Sequence, residues 1–165
     1  MIKKYDQNQN LLLSFGSFGT GAGQFQSVEK MYVTSAGKVI VYDSFNAKVI
    51  VFNADATLDH EFSFNINSVL FETIDESNDY IIARYSNSQI RRYRLSDGQF
   101  VDQYAPVGGF NVYKIGIDQS NGTLYFESIS SSRSYINTLT TTANSFGTHT
   151  QIYDTTMTNV TIQDL

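Results

Sequence analysis

The stretch MYVTSAGKVIVYDSFNAKVIVFNADATLDHEFSF, residues 31–64, decides how the rest of the chain is read. It holds four short runs rich in Val, Ile, Tyr and Phe. Between them lie Ser35-Ala36-Gly37, Ser44-Phe45-Asn46-Ala47 and Ala54-Asp55-Ala56-Thr57. β-Branched and aromatic residues favour strands, and Gly, Asn, Asp and Ser favour turns, so the stretch predicts four strands joined by tight hairpins. Working outward, VLFETIDESNDYIIARYSNSQIRRYRLSDGQFVDQYA (69–105) repeats the order. Matching the third strands pairs Phe52 with Tyr93, Val49 with Ile90 and Asn46 with Asn87, an offset of 41 residues that also sets Arg84 against Asp43. A looser copy follows at 112–153. The N-terminal IKKYDQNQNLLLSF supplies only the last two strands of a copy, and MTNVTIQDL (157–165) resembles another first strand.

Four strands every ~40–45 residues is the period of a propeller blade. The expected fold is therefore all-β, a β-propeller-type array of four-stranded blades in a single domain, 1–165. Residues 1–15 form a partial blade, 16–64, 65–105 and 106–153 form full blades, and 154–165 form a terminal strand. Within this frame, GQFQSVEKMYVTSAGKVIVYDSFNAKVIVFNADATL (23–58) resembles an NHL repeat, in which a Gly-rich loop, G-Q-F, a strand and a glycine turn precede V-x-D-S-x-N-x-x-I-x-V-F. Gly21, Gly23, Gln24, Phe25, Gly37, Val41, Asp43, Ser44, Asn46, Ile50, Val51 and Phe52 carry the match. The chain departs from the pattern twice: no proline follows G-Q-F, and Lys48 stands where arginine is usual. The resemblance is densest over 16–58, thinner over 68–105 and faint after 110. It implies kinship with six-bladed propellers of secreted and surface proteins.

The same frame settles what FGSFGTGAGQF (15–25) is for. Its glycines, Gly16, Gly19, Gly21 and Gly23, form neither G-x-G-x-x-G before a helix nor G-K-[ST]. Strand residues follow at Met31. The loop reads as the crossing from one blade to the next, where glycine permits close backbone passage and positive φ.

Composition narrows the function. The chain has 165 residues, enough for one domain with a core. A net charge of −5 argues against nucleic acid, whose affinity comes mostly from Lys and Arg on phosphates. Cysteine is absent, so disulfides and thiolate metal sites are excluded. No apolar run approaches the ~18 residues of a membrane helix, and LLL at 11–13 is too short for a secretory core.

Candidate chemistry is sparse. His60 and His149 sit in no ligand spacing and read as exposed strand residues; no G-x-S-x-G elbow exists. Asp75, Glu76 and Asp79 could gather around calcium, but solvated acids of a hairpin explain them as well. Asp43, Ser44 and Asn46 read as a turn held by short side chains. Arg84, Arg91, Arg92 and Arg94 concentrate positive charge in an acidic chain and are the candidate binding residues. Arg92 and Arg94 share one strand face and Arg91 takes the other, and solvated cross-strand ion pairs are the plain alternative. Asn121-Gly122-Thr123 and Asn159-Val160-Thr161 match the glycosylation acceptor pattern, as chance would allow in so Ser/Thr-rich a chain.

The expectation is thus a non-catalytic binding or assembly module, extracellular or virion-associated, without cofactor or metal. It would present loops to protein or glycan and join copies of itself through its terminal strands. Ile2, Tyr5, Leu11 and Leu13 at one end and Val160 and Ile162 at the other are the candidate assembly residues. Two alternatives stay open: a structural subunit of a polymeric assembly, and an NHL-like metal-dependent lyase or lactonase.

Overall fold

Runs of Val, Ile and aromatic residues do become strands, and Asx-type side chains hold the turns between them. The computed structural model describes residues 1–64, 69–86, 88–106, 111–130, 133–142 and 145–155. Among these, every regular element is a strand. They belong to two units, Met1–Ile66 with Ser96–Gly98, and Asn67–Leu95 with Gln99–Leu165.

The first unit opens on an antiparallel pair, β1 (Ile2–Tyr5) and β2 (Leu11–Phe15). Asp6 shapes its turn, accepting bonds from the backbone N–H groups of Asn8 and Asn10, each 2.8 Å. The Gly-rich loop follows and contains a short parallel pair, β3 (Ser17–Phe18) and β4 (Gln24–Phe25). Next comes a four-stranded antiparallel meander: β5 (Val28–Val33), β6 (Val39–Asp43), β7 (Lys48–Phe52) and β8 (Leu58–Ser63). The middle strands are buried on both faces, which is why VIVYD and KVIVF are continuous rather than alternating. Phe25, Val41, Ile50 and Phe52 form the core, with Ile2, Phe15 and Val39 packed against it. Each such side chain contributes about 1.5–3 kcal/mol on burial. Gly16 adopts φ +67°, and a Cβ there would lie 2.3 Å from the Phe25 ring, so only glycine fits.

The second unit holds two more meanders. One comprises β9 (Val69–Asp75), β10 (Tyr80–Tyr85), β11 (Gln89–Arg94) and β12 (Phe100–Tyr104). The other comprises β13 (Asn111–Asp118), β14 (Thr123–Ser130), β15 (Arg133–Thr141) and β16 (Phe146–Thr155). Their shared core is Ile82, Ile90, Val112, Ile115, Leu124, Phe126 and Leu139. Polar side chains lock the two sheets as well. Gln119 donates to Ile74 O at 2.6 Å and accepts from Glu76 N at 3.1 Å. Thr141 Oγ1 donates to Asp75 Oδ2 at 2.8 Å.

Ladder register corrects one equivalence read from the repeat. In the first meander Tyr42 lies opposite Val49 and Asp43 opposite Lys48; in the second Arg84 lies opposite Ile90 and Tyr85 opposite Gln89. With Val49 matched to Ile90, the counterpart of Asp43 is therefore Tyr85, and Arg84 corresponds to Tyr42. The β10–β11 turn is one residue shorter than the β6–β7 turn, and a one-residue slip moves every side chain to the other face.

Candidate binding surfaces

The Gly-rich loop is sewn to the first meander at successive points. Asn46 Nδ2 donates to Gly19 O at 3.1 Å, and Lys48 Nζ donates to Gly21 O at 3.0 Å. Gly23 N donates to Glu61 Oε2 at 2.9 Å, and Lys48 Nζ also reaches that oxygen at 3.2 Å. The Asp43 carboxylate, fully buried, accepts from Gln26 N at 2.8 Å, Ser27 N at 3.0 Å and Asn46 Nδ2 at 2.7 Å. Burial alone would raise its pKa, yet these bonds hold it below the ordinary carboxylate value. The loop's inward donors and acceptors are thus spent on the sheet, as expected of a connector. Lys48, the departure from the repeat pattern, still serves as a cationic staple to Gly21 O and Glu61.

The sewn loop and the β6–β7 turn carry two side chains that the sequence reading passed over. Phe18 is 77% exposed and Phe45 is 72% exposed. Each neighbours one end of the Asn46–Gly19 hydrogen bond and leaves an apolar ring in water. Their signal was available, since aromatic residues in turns have no core to fill.

The four arginines do not act together. Arg92 is wholly buried rather than solvated. Its Nε and Nη2 donate to the two Asp102 oxygens at 2.7 and 2.6 Å, and Nη1 donates to Thr142 O. Tyr80 and Phe146 stack on the guanidinium at 4.6 and 4.7 Å. Arg84 pairs with Glu72 at 3.1 Å and donates to Val112 O. Arg94 is exposed at the end of β11. Arg91 faces the other side of β11, opposite Ala83 and Gln103. Its guanidinium lies 3.4 Å from the Tyr85 ring centroid and 5.5 Å from that of Phe100.

Other candidates resolve into turns. Asp75 is not a solvated acid: it is fully buried and accepts from Ser77 Oγ, Asn78 Nδ2 and Thr141 Oγ1. Asp118 does the same with Ser120 and Asn121 at the surface, and hydrogen bonds from Ser120, then Asn121, lower its pKa. The shared D-x-S-N spelling of these two hairpins was legible and unread. His60 is half-buried beside Asp59, with its ring stacked on Phe62. His149 Nε2 donates to Asn137 Oδ1 at 3.0 Å, because the Asn137 amide hydrogens are spent on Ser128 Oγ and backbone oxygens. His149 is exposed, and partial desolvation where its ring packs on Tyr104 and Phe126 lowers its pKa. Among the described residues no three His, Asp or Glu side chains converge as a metal set. No helix of the described residues is long and apolar enough to cross a membrane.

Of the assembly candidates, Ile2 packs into the first core, Leu13 is half-buried, and Tyr5 and Leu11 are 51% and 54% exposed. Val160 and Ile162 lie outside the described residues.

No family model matches the sequence, and no curated protein matches it. Among solved structures the chain is similar to the crystal structure of BamB from Moraxella catarrhalis, at 18% identity and a TM-score of 0.44. The likeness covers 74% of this chain and 36% of that one, so the chain spans about a third of that protein's length.

Proposed function

We propose that the chain is a non-catalytic module of the NHL-like propeller type in an extracellular or virion-borne assembly. It presents connecting loops for recognition of protein or glycan, and it joins copies of itself through terminal strands. The observation that supports this most is the β1–β2 sheet, which has two strands where each meander has four. Among the described residues neither β1 nor β2 pairs with a third strand. Tyr5, Leu11 and Leu12 are 51%, 54% and 53% exposed on it. Adding a strand from another copy satisfies open backbone groups and covers these side chains in one step. Phe18 and Phe45 supply a second, loop-borne apolar surface of the kind that recognition uses.

Light scattering at tens of micromolar tests the reading. The full chain is expected to run as a multimer, and both Leu11→Lys and deletion of residues 157–165 are expected to shift it to monomer with the melting midpoint little changed. Association unaltered by both changes would contradict it.

A further inference from the structure

We propose that the open groove around Arg91 binds a carboxylate-bearing sugar, a uronate unit of an acidic glycan. The groove, of about 580 Å³, is lined by Arg91, Phe100, Val101, Asp102 and Gln103. Arg91 differs from its neighbours in its partners. Arg84 and Arg92 each face a carboxylate, whereas Arg91 has none within ion-pair distance among the described residues. Its bonds go to neutral amides: Nε donates to Gln103 Oε1 at 3.1 Å and Nη2 to Gln89 Oε1 at 3.2 Å. The guanidinium is further clamped on Tyr85. A guanidinium has five N–H donors, so three are left, both of those on Nη1 among them. That suffices for a two-point contact with a carboxylate, the ligand geometry this group fits best.

The remaining walls choose a sugar over a simple anion. Phe100 is 51% exposed and braced edge-on by Tyr93 at 5.8 Å, which offers a fixed apolar face to the C–H side of a pyranose. With its carbonyl oxygen held by Arg91, Gln103 keeps its amide hydrogens for ligand hydroxyls. Asp102, the acid in the lining, is neutralised by its two-point bond to Arg92 and does not repel an anion.

This deepens the reading of the chain as a binding module by naming a ligand class, and it is tested independently of self-association. Titration calorimetry with oligogalacturonate is the main measurement, with neutral oligogalactose and polyglutamate as comparison probes. Oligogalacturonate is expected to bind, with the neutral sugar silent and polyglutamate much weaker. Arg91→Gln and Phe100→Ala should each weaken binding about tenfold or more, a loss of about 1.4 kcal/mol. Phe100 is exposed, so its variant keeps the test valid if Arg91→Gln folds poorly. No oligogalacturonate binding at millimolar concentration, or equal binding by the folded Phe100→Ala variant, would overturn the proposal. So would polyglutamate binding as tightly as the sugar acid, since the ligand would then be a peptide. Oligogalacturonate binding by a full chain that stays monomeric would count against the self-association reading alone.

Discussion

The first and second meanders share a strand order and differ in how they keep charge out of trouble. In β5–β8 a buried carboxylate, Asp43, is satisfied largely by backbone N–H groups of an adjoining loop. In β9–β12 a buried guanidinium, Arg92, takes a carboxylate on the next strand as its main partner. A carboxylate accepts from any nearby amide, so the first solution needs a loop to lean on. A guanidinium needs an opposite charge or carbonyl oxygens, so the second needs a committed side chain. One repeat thus yields a sheet that holds a loop through Asp43 and a sheet that pairs Arg92 across its own strands while tying it to Thr142 of the next meander. Breaking each should have different consequences.

The largest expected effect is in the second meander. Asp102→Ala leaves Arg92 buried without its counter-charge and should cost about 3–5 kcal/mol in urea denaturation. Replacing both partners, Arg92→Met with Asp102→Leu, should cost clearly less than the single change. If the double variant is the worse of the two, the buried-pair account fails. In the first meander Asp43→Ala should cost about 2–3 kcal/mol, because several buried donors lose their acceptor. Hydrogen exchange should show Gln26 and Ser27 losing protection while Ile82 and Arg92 keep theirs. Because its folded pKa is depressed, Asp43 contributes stability above the unfolded carboxylate value, and that contribution fades as pH falls below about 4. Asp43→Ala should flatten this acid limb.

Smaller effects sharpen the picture. Ala56 sits at φ +71° in the β7–β8 turn, so Ala56→Gly should stabilise by about 0.5–1 kcal/mol in the same assay. His149 has a lowered pKa in the fold, so the unfolded chain takes its proton first. Stability should therefore decline slightly as pH falls through about 6.5, and His149→Gln should remove that slope in thermal melts.

How much of this was legible in the sequence divides along physical lines. Strands and turns were legible, because KVIVYD and KVIVFN are dense in β-branched residues and punctuated by Asn, Asp and Gly. The connector role of the Gly-rich loop was legible from the lack of a phosphate signature and the strand that follows. Register was not: a turn one residue shorter moved Arg84 from the place of Asp43 to that of Tyr42. Burial of charge was not legible either. Arg92 finds Asp102 across a ladder, and Asp75 finds Thr141 on a different sheet, 66 residues away. Long-range pairing of this kind leaves no local pattern, so both side chains read as solvated.

We propose above all that this chain joins to copies of itself. Sedimentation equilibrium of the unaltered protein, from sub-micromolar to tens of micromolar, tests it most directly. The expected result is a mass that rises with concentration to a multiple of 18.5 kDa. A mass fixed at 18.5 kDa over the whole range would contradict it.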